Sequence, residues 1–188
     1  MKDKVPKALG FFLCATILWA GGFDKSLTKD GITFDIDVED GTLTITPHGL
    51  AIDNTPIERK IDAEVLDAKI VDLNGDGAPE IYIFLVSAGS GSYGKLIAYS
   101  SNHNKSVTPI HLPKPPLDSK LLQGYMGHDH FEIKGKYLIR SFPIYRKEDP
   151  NCCPTGGRRI LYYVLEPGEA MWQLRLVKFC EKIERYNR

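Results

Sequence analysis

Apolar and polar residues alternate with a period of two along much of this chain, and a helical period is nearly absent. Ile32, Phe34, Ile36 and Val38 alternate with Thr33, Asp35 and Asp37, the mark of a strand buried on one face. Asp40-Gly41 is a turn signal. Leu43 and Ile45 then alternate with Thr42, Thr44 and Thr46, so residues 31–47 predict a hairpin. A further strand is predicted over residues 66–72. Residues 80–87, EIYIFLVS, are apolar on both faces and predict a central strand. Strands over 95–100 and 107–112 follow, and Pro113, Pro115 and Pro116 then mark a loop. Segments 131–133 and 136–142 flank Lys134-Gly135. Segments 160–165 and 171–178 flank Glu166-Pro167-Gly168-Glu169 and close the series. The expectation is an all-β fold, an antiparallel β-sandwich or flattened barrel of about eight to nine strands.

Composition adds an address and removes some partners. The 188 residues carry 24 basic and 24 acidic side chains. A balanced chain has no electrostatic footprint for nucleic acid or an anionic membrane surface. Lys2, Lys4 and Lys7 precede an uncharged stretch over residues 8–20. That stretch is shorter than the ~20 apolar residues that span a bilayer, and it fits the apolar region of a secretory signal. Small residues at Ala20, Gly21 and Gly22 place the cut after Gly22; an uncleaved anchor is the alternative. The expected organisation is a signal peptide over 1–22, a β-domain over 23–180 and a charged tail over 181–188. Cleavage would remove three lysines and one aspartate, leaving an exported chain of net charge −2 with no membrane association.

Export directs attention to the cysteines, since disulfides persist in oxidising compartments. Cys152, Cys153 and Cys180 remain after cleavage. Adjacent cysteines rarely bond in a relaxed chain, so the expected bridge joins Cys152 or Cys153 to Cys180, with one thiol left over. Three cysteines without a fourth ligand at zinc spacing make a poor zinc site.

Four segments carry candidate chemistry. Residues 88–95, AGSGSYGK, separate two apolar strands with a loop of small residues, hydroxyls and one aromatic. Small residues let a backbone project and approach a partner closely. Gly89-x-x-x-x-Gly94-Lys95 begins like a phosphate-binding P-loop. However, Leu96 stands where a hydroxyl must meet magnesium, and a strand follows where a helix is required. The nucleophile elbow fails as well, because Ala88 and Ser92 flank Ser90, and Ser90 occupies the first glycine position before Ser92. In the second segment, Asp72, Asn74 and Asp76 alternate ahead of Gly77, like the start of a calcium loop. The rest of the twelve-residue pattern is missing, which favours a tight turn held by Asx hydrogen bonds. In the third, His128-Asp129-His130 would place two imidazoles on one face of a strand, short of a metal's three or four ligands. The fourth, Asp149 through Arg159, is a loop of prolines, glycines and cysteines ending in Arg158 and Arg159, which suit carboxylates. No nucleophile–base pair or metal centre emerges, so the chain reads as a non-enzyme without a cofactor.

An exported all-β domain bearing Ser90-Gly91-Ser92-Tyr93 resembles the bacterial periplasmic lysozyme inhibitors, whose shared motif is Ser-Gly-x-Tyr on a protruding loop. The order Asp-x-Asn-Gly-Asp-Gly, apolar strand, Ser-Gly-Ser-Tyr-Gly, then Asn-Cys-Cys-Pro-x-Gly-Gly-x-Arg looks most like the branch directed at invertebrate-type (i-type) lysozyme. It covers roughly residues 60–180. The resemblance implies inhibition by occlusion, with Ser90, Gly91, Ser92 and Tyr93 entering the lysozyme cleft. It also implies a basic residue from a neighbouring loop, for which Arg158, Arg159 and Lys105 are the candidates, and it admits a homodimer. The other reading of the residues is an exported β-domain that binds cell-envelope glycan or calcium without a lysozyme partner.

Overall fold

The computed structural model describes residues 22–116 and 118–183. The expected signal segment, apart from Gly22, and residues 184–188 lie outside these. The described residues form twelve strands: β1 (Asp24–Lys29), β2 (Ile32–Glu39), β3 (Thr42–His48), β4 (Ile57–Lys60), β5 (Ala63–Val71), β6 (Glu80–Ser87), β7 (Gly94–Ser100), β8 (Thr108–His111), β9 (His130–Lys134), β10 (Tyr137–Pro143), β11 (Arg158–Pro167) and β12 (Trp172–Lys182). One 3-10 turn, Lys120–Leu122, lies between β8 and β9. The fold is all-β, as the alternation predicts, and its strands form two sheets. The smaller has the order β1-β2-β3-β4. The larger has the order β5-β6-β7-β8-β12-β11-β10-β9.

β6 explains how the two sheets share one molecule. Its side chains alternate between two apolar cores. Ile81, Ile83 and Leu85 pack with Phe34, Ile36, Leu43 and Ile45 of the small sheet. Tyr82 and Phe84 point the other way, to Leu138, Phe142, Leu161 and Tyr163. A strand buried on both faces must be apolar throughout, which is the pattern the sequence carries.

The large sheet curls on itself. β6 and β9 stand six places apart in its order, roughly 29 Å across a flat sheet. Yet the rings of Phe84 and Phe131 stack with centroids 5.9 Å apart. The second core fills the inside of this half-barrel.

Three expectations are corrected. The strands number twelve among the described residues because β1 and β4, each with a single strongly apolar side chain, escape a hydrophobic pattern. Both are edge strands, where polar residues are favoured. β1 is held by its register with β2 and by the ion pair of Lys25 with Asp67 of β5, at 2.6 Å. The sheets are not purely antiparallel, since β12 runs parallel to β8 at Trp172↔Ile110 and Gln173↔His111. The expected tail does not begin at residue 181, because Glu181 and Lys182 still pair with Arg159 and Arg158.

Candidate functional site

The β6–β7 connection projects from the end of the two most apolar strands of the sheet. Its base is closed by Ser87 and Tyr93: the Ser87 amide donates to the Tyr93 carbonyl at 2.9 Å, and the Tyr93 amide donates to Ser87 Oγ at 3.1 Å. Inside the loop, the Ser92 amide donates to the Gly89 carbonyl at 3.2 Å, with Ser92 in the left-handed region at φ 42°. The Ser92 hydroxyl also turns toward that carbonyl, at 3.5 Å. Ser90 is exposed, and Tyr93 is 46% exposed. Among the described residues, neither hydroxyl has a hydrogen-bond partner. Two donors are therefore left without a protein acceptor, while the Tyr93 ring lies over Gly91 and Ser92 serves the shape of the loop.

A buried platform holds this loop. The Asp129 side chain has no exposure, and its Oδ1 accepts from Arg140 Nε at 2.7 Å. Its Oδ2 accepts from the Tyr125 hydroxyl at 2.6 Å and from the Gly94 amide at 2.9 Å. Arg140 Nη2 donates to the same Tyr125 oxygen at 2.9 Å, with the guanidinium 5.1 Å from the Tyr125 ring centre and 5.4 Å from that of Phe142. Burial pushes the Tyr125 hydroxyl well above the usual phenol range, and the bond to Asp129 pushes it further, so it remains a donor. Burial opposes the charge on Arg140, but the Asp129 carboxylate outweighs it and keeps the guanidinium charged. The Tyr93 ring leans edge-on against Tyr125, with centroids 5.7 Å apart.

The loop is gripped from its other side too. The His128 amide donates to the Gly91 carbonyl at 2.7 Å. Gly127 beside it has φ 91°, and a Cβ there would run into that same Gly91 oxygen. Gly127→Ala is therefore expected to dislodge the loop, and chymotrypsin should then cleave after Tyr93 faster than in the parent protein. An unchanged cleavage rate would show that Gly127 does not hold the loop. Asn151 Nδ2 reaches the Ser90 carbonyl at 3.4 Å. A shallow pocket of about 180 Å³ adjoins the loop, lined by His128, Tyr145, Asn151, Pro154 and Arg158 among others.

The three basic candidates separate clearly. Arg158 lines that pocket, 3.5 Å from Ser141 Oγ. Arg159 is only 4% exposed, and its guanidinium donates to the Leu121 and Gln123 carbonyls and to Glu181. It clamps the 3-10 turn to the end of β12 and presents nothing to a partner. Lys105 is exposed but lies beyond Ser100, at the opposite end of β7 from the loop.

The other segments are also placed. His128 has φ 55° and precedes β9, so it does not share a strand face with His130. The informative residue of that triplet is the aspartate between them, which holds the loop through the Gly94 amide. The cysteine expectation is overturned: Cys152 bonds to Cys153, and Cys180 is exposed and unbridged. Cys180 faces Ile160 within the β11–β12 ladder, well inside the end of the sheet, while the cysteine pair sits in the loop before β11. That loop holds itself, with Asp149 accepting from the Arg146 and Thr155 amides at 2.7 Å each. The Asp72 turn is built of Asx bonds, with Asp72 accepting from the amides of Gly75, Asp76 and Gly77.

Comparison with known protein families, with curated proteins and with solved structures finds no match for this chain.

Proposed function

We propose that this chain is an exported, periplasmic inhibitor of lysozyme, with the invertebrate type as its target and the β6–β7 loop as the inhibitory plug. The observation that carries the reading is the half-exposed Tyr93 and exposed Ser90, their hydroxyls without protein acceptors, on a loop held by a buried ion pair. A glycosidase cleft holds two carboxyl groups about a sugar's width apart. Neutral hydroxyl donors can bond to them without carrying a buried charge into the cleft. Each such bond contributes about 1.5–3 kcal/mol net. Preorganisation matters as much, because a loop already held in place loses little freedom on binding. Arg158, which lines a pocket together with the loop-holding His128 and Asn151, is the basic neighbour on which this reading calls. The remaining affinity comes from the surrounding surface, about 800 Å² per partner in ordinary complexes.

The test is lysis of bacterial cell walls, followed by turbidity, with i-type lysozyme and with other lysozymes. Adding the protein should stop lysis by the i-type enzyme at near-stoichiometric concentration. If every lysozyme tested lyses at its full rate in a large excess of the protein, the proposal fails.

A further inference from the structure

We propose that the connection between β5 and β6 is a calcium site, in which Asp72, Asp76 and Glu80 supply carboxylate oxygens to one ion. It is independent of the inhibitory loop, because it lies at the other end of β6, about 23 Å away along an eight-residue strand. The three side chains bring one oxygen each to within 4.8 Å of one another. Opposite ligands of a calcium ion lie about 4.6–5.2 Å apart, so oxygens at this spacing can share one coordination shell.

Glu80 is the residue that points to an ion. It opens a strand that is otherwise almost wholly apolar, and it has no exposure. Its Oε2 accepts from the Leu73 amide at 2.8 Å, while Oε1 is buried with no partner at all. A buried carboxylate oxygen without a donor is costly, and a turn alone has no use for it. A divalent cation among the three groups would give that oxygen its missing partner.

The turn is built to present those oxygens. Three backbone amides converge on Asp72, and Asp76 Oδ1 accepts from the Ala78 amide at 2.8 Å. Asn74 Nδ2 donates to Asp76 Oδ2 at 3.0 Å, and an ionised carboxylate accepts at about four positions, so both held carboxylates keep acceptor capacity. Gly77, at φ 81°, stands five residues after Asp72, where a calcium loop makes its sharp turn. The donor set is all oxygen, without histidine or cysteine, which selects a hard cation. An exposed loop suits calcium, which tolerates irregular geometry and completes its shell with water. Magnesium demands a near-ideal octahedron.

Chelator-treated full-length protein is titrated with calcium chloride in a calorimeter, and its melting temperature is recorded with and without calcium. One ion should bind per chain, with a rise in melting temperature, because a ligand of the folded state stabilises it by mass action. Asp76→Asn and Glu80→Gln should each weaken binding by roughly tenfold or more, as expected when a ligand charge is lost. Asp76 is exposed, so Asp76→Asn decides the matter even if the buried Glu80→Gln chain fails to fold. The proposal is overturned by an absence of heat and of thermal shift at ~5 mM calcium, beyond the weak end of extracellular sites. It is overturned equally by an Asp76→Asn chain that binds like the parent, or by magnesium binding as tightly as calcium. Lysis is not measured, so failure here leaves the reading of the Tyr93 loop untouched.

Discussion

Replacing Ser90 and Tyr93 together by alanine is expected to abolish inhibition of lysozyme while leaving the fold intact. The two hydroxyls account for about 3–6 kcal/mol of binding if each meets an ionised carboxyl, or two to four orders of magnitude in affinity. Loss of the Tyr93 ring removes an aromatic anchor as well, the kind of side chain on which interface energy concentrates. Stability should hardly change, because Ser90 is exposed and Tyr93 is nearly half exposed. A drop in melting temperature beyond ~4 °C, equivalent to about 1 kcal/mol at this size, would mean that Tyr93 is a packing residue. A double variant that inhibits at the parent's concentration would remove the loop from the mechanism. Ser92→Ala is the internal control. Its hydroxyl turns back toward Gly89, so inhibition should survive that change largely unaltered.

Asp129→Ala should be the most destabilising single change near the site. It leaves the Arg140 charge buried among phenol hydroxyls and aromatic faces, without its carboxylate. Breaking a buried pair from one side costs about 3–5 kcal/mol. It also frees the Gly94 amide and the Tyr125 hydroxyl, so the base of the β6–β7 loop loosens at the same time. Urea unfolding should show a lower midpoint with an unchanged slope, and inhibition should weaken even at temperatures where the chain remains folded. Removing both charges, as in Asp129→Leu with Arg140→Met, should recover much of the stability, since an apolar pair of similar volume can replace a buried ion pair. It should not recover inhibition, because the Gly94 amide still lacks its acceptor. If Asp129→Ala unfolds at the parent's midpoint, the platform does not hold the loop.

The strands with a clear period of two were legible in the sequence. β2, β3 and β6 follow from alternation or from apolarity on both faces, because a half-buried or fully buried strand leaves no other choice of residue. The loop of small residues and hydroxyls was legible for the opposite reason: it interrupts two strands that a two-residue turn could have joined. β1 and β4 were hidden, since an edge strand contributes few buried side chains. The cysteine pairing was hidden as well, because the distance from Cys152 to Cys180 depends on where Cys180 falls in the β11–β12 ladder.

What the order of residues determined by itself was the all-β class, the central position of β6 and which polar residues its two flanking turns carry. The rest was decided by the curl of the large sheet. Curling brings β9 and β10 over β6 and β7, so that Asp129 reaches the Gly94 amide thirty-five positions earlier in the chain and Arg140 pairs with Asp129. It likewise buries Arg159 while Arg158 lines a surface pocket, though the two are neighbours in sequence. Successive side chains on a strand point to opposite faces, so only the curled sheet settles which face is interior. A period of two assigns a residue to one face or the other, and only the packing of that face against a distant strand makes it a clamp or a contact.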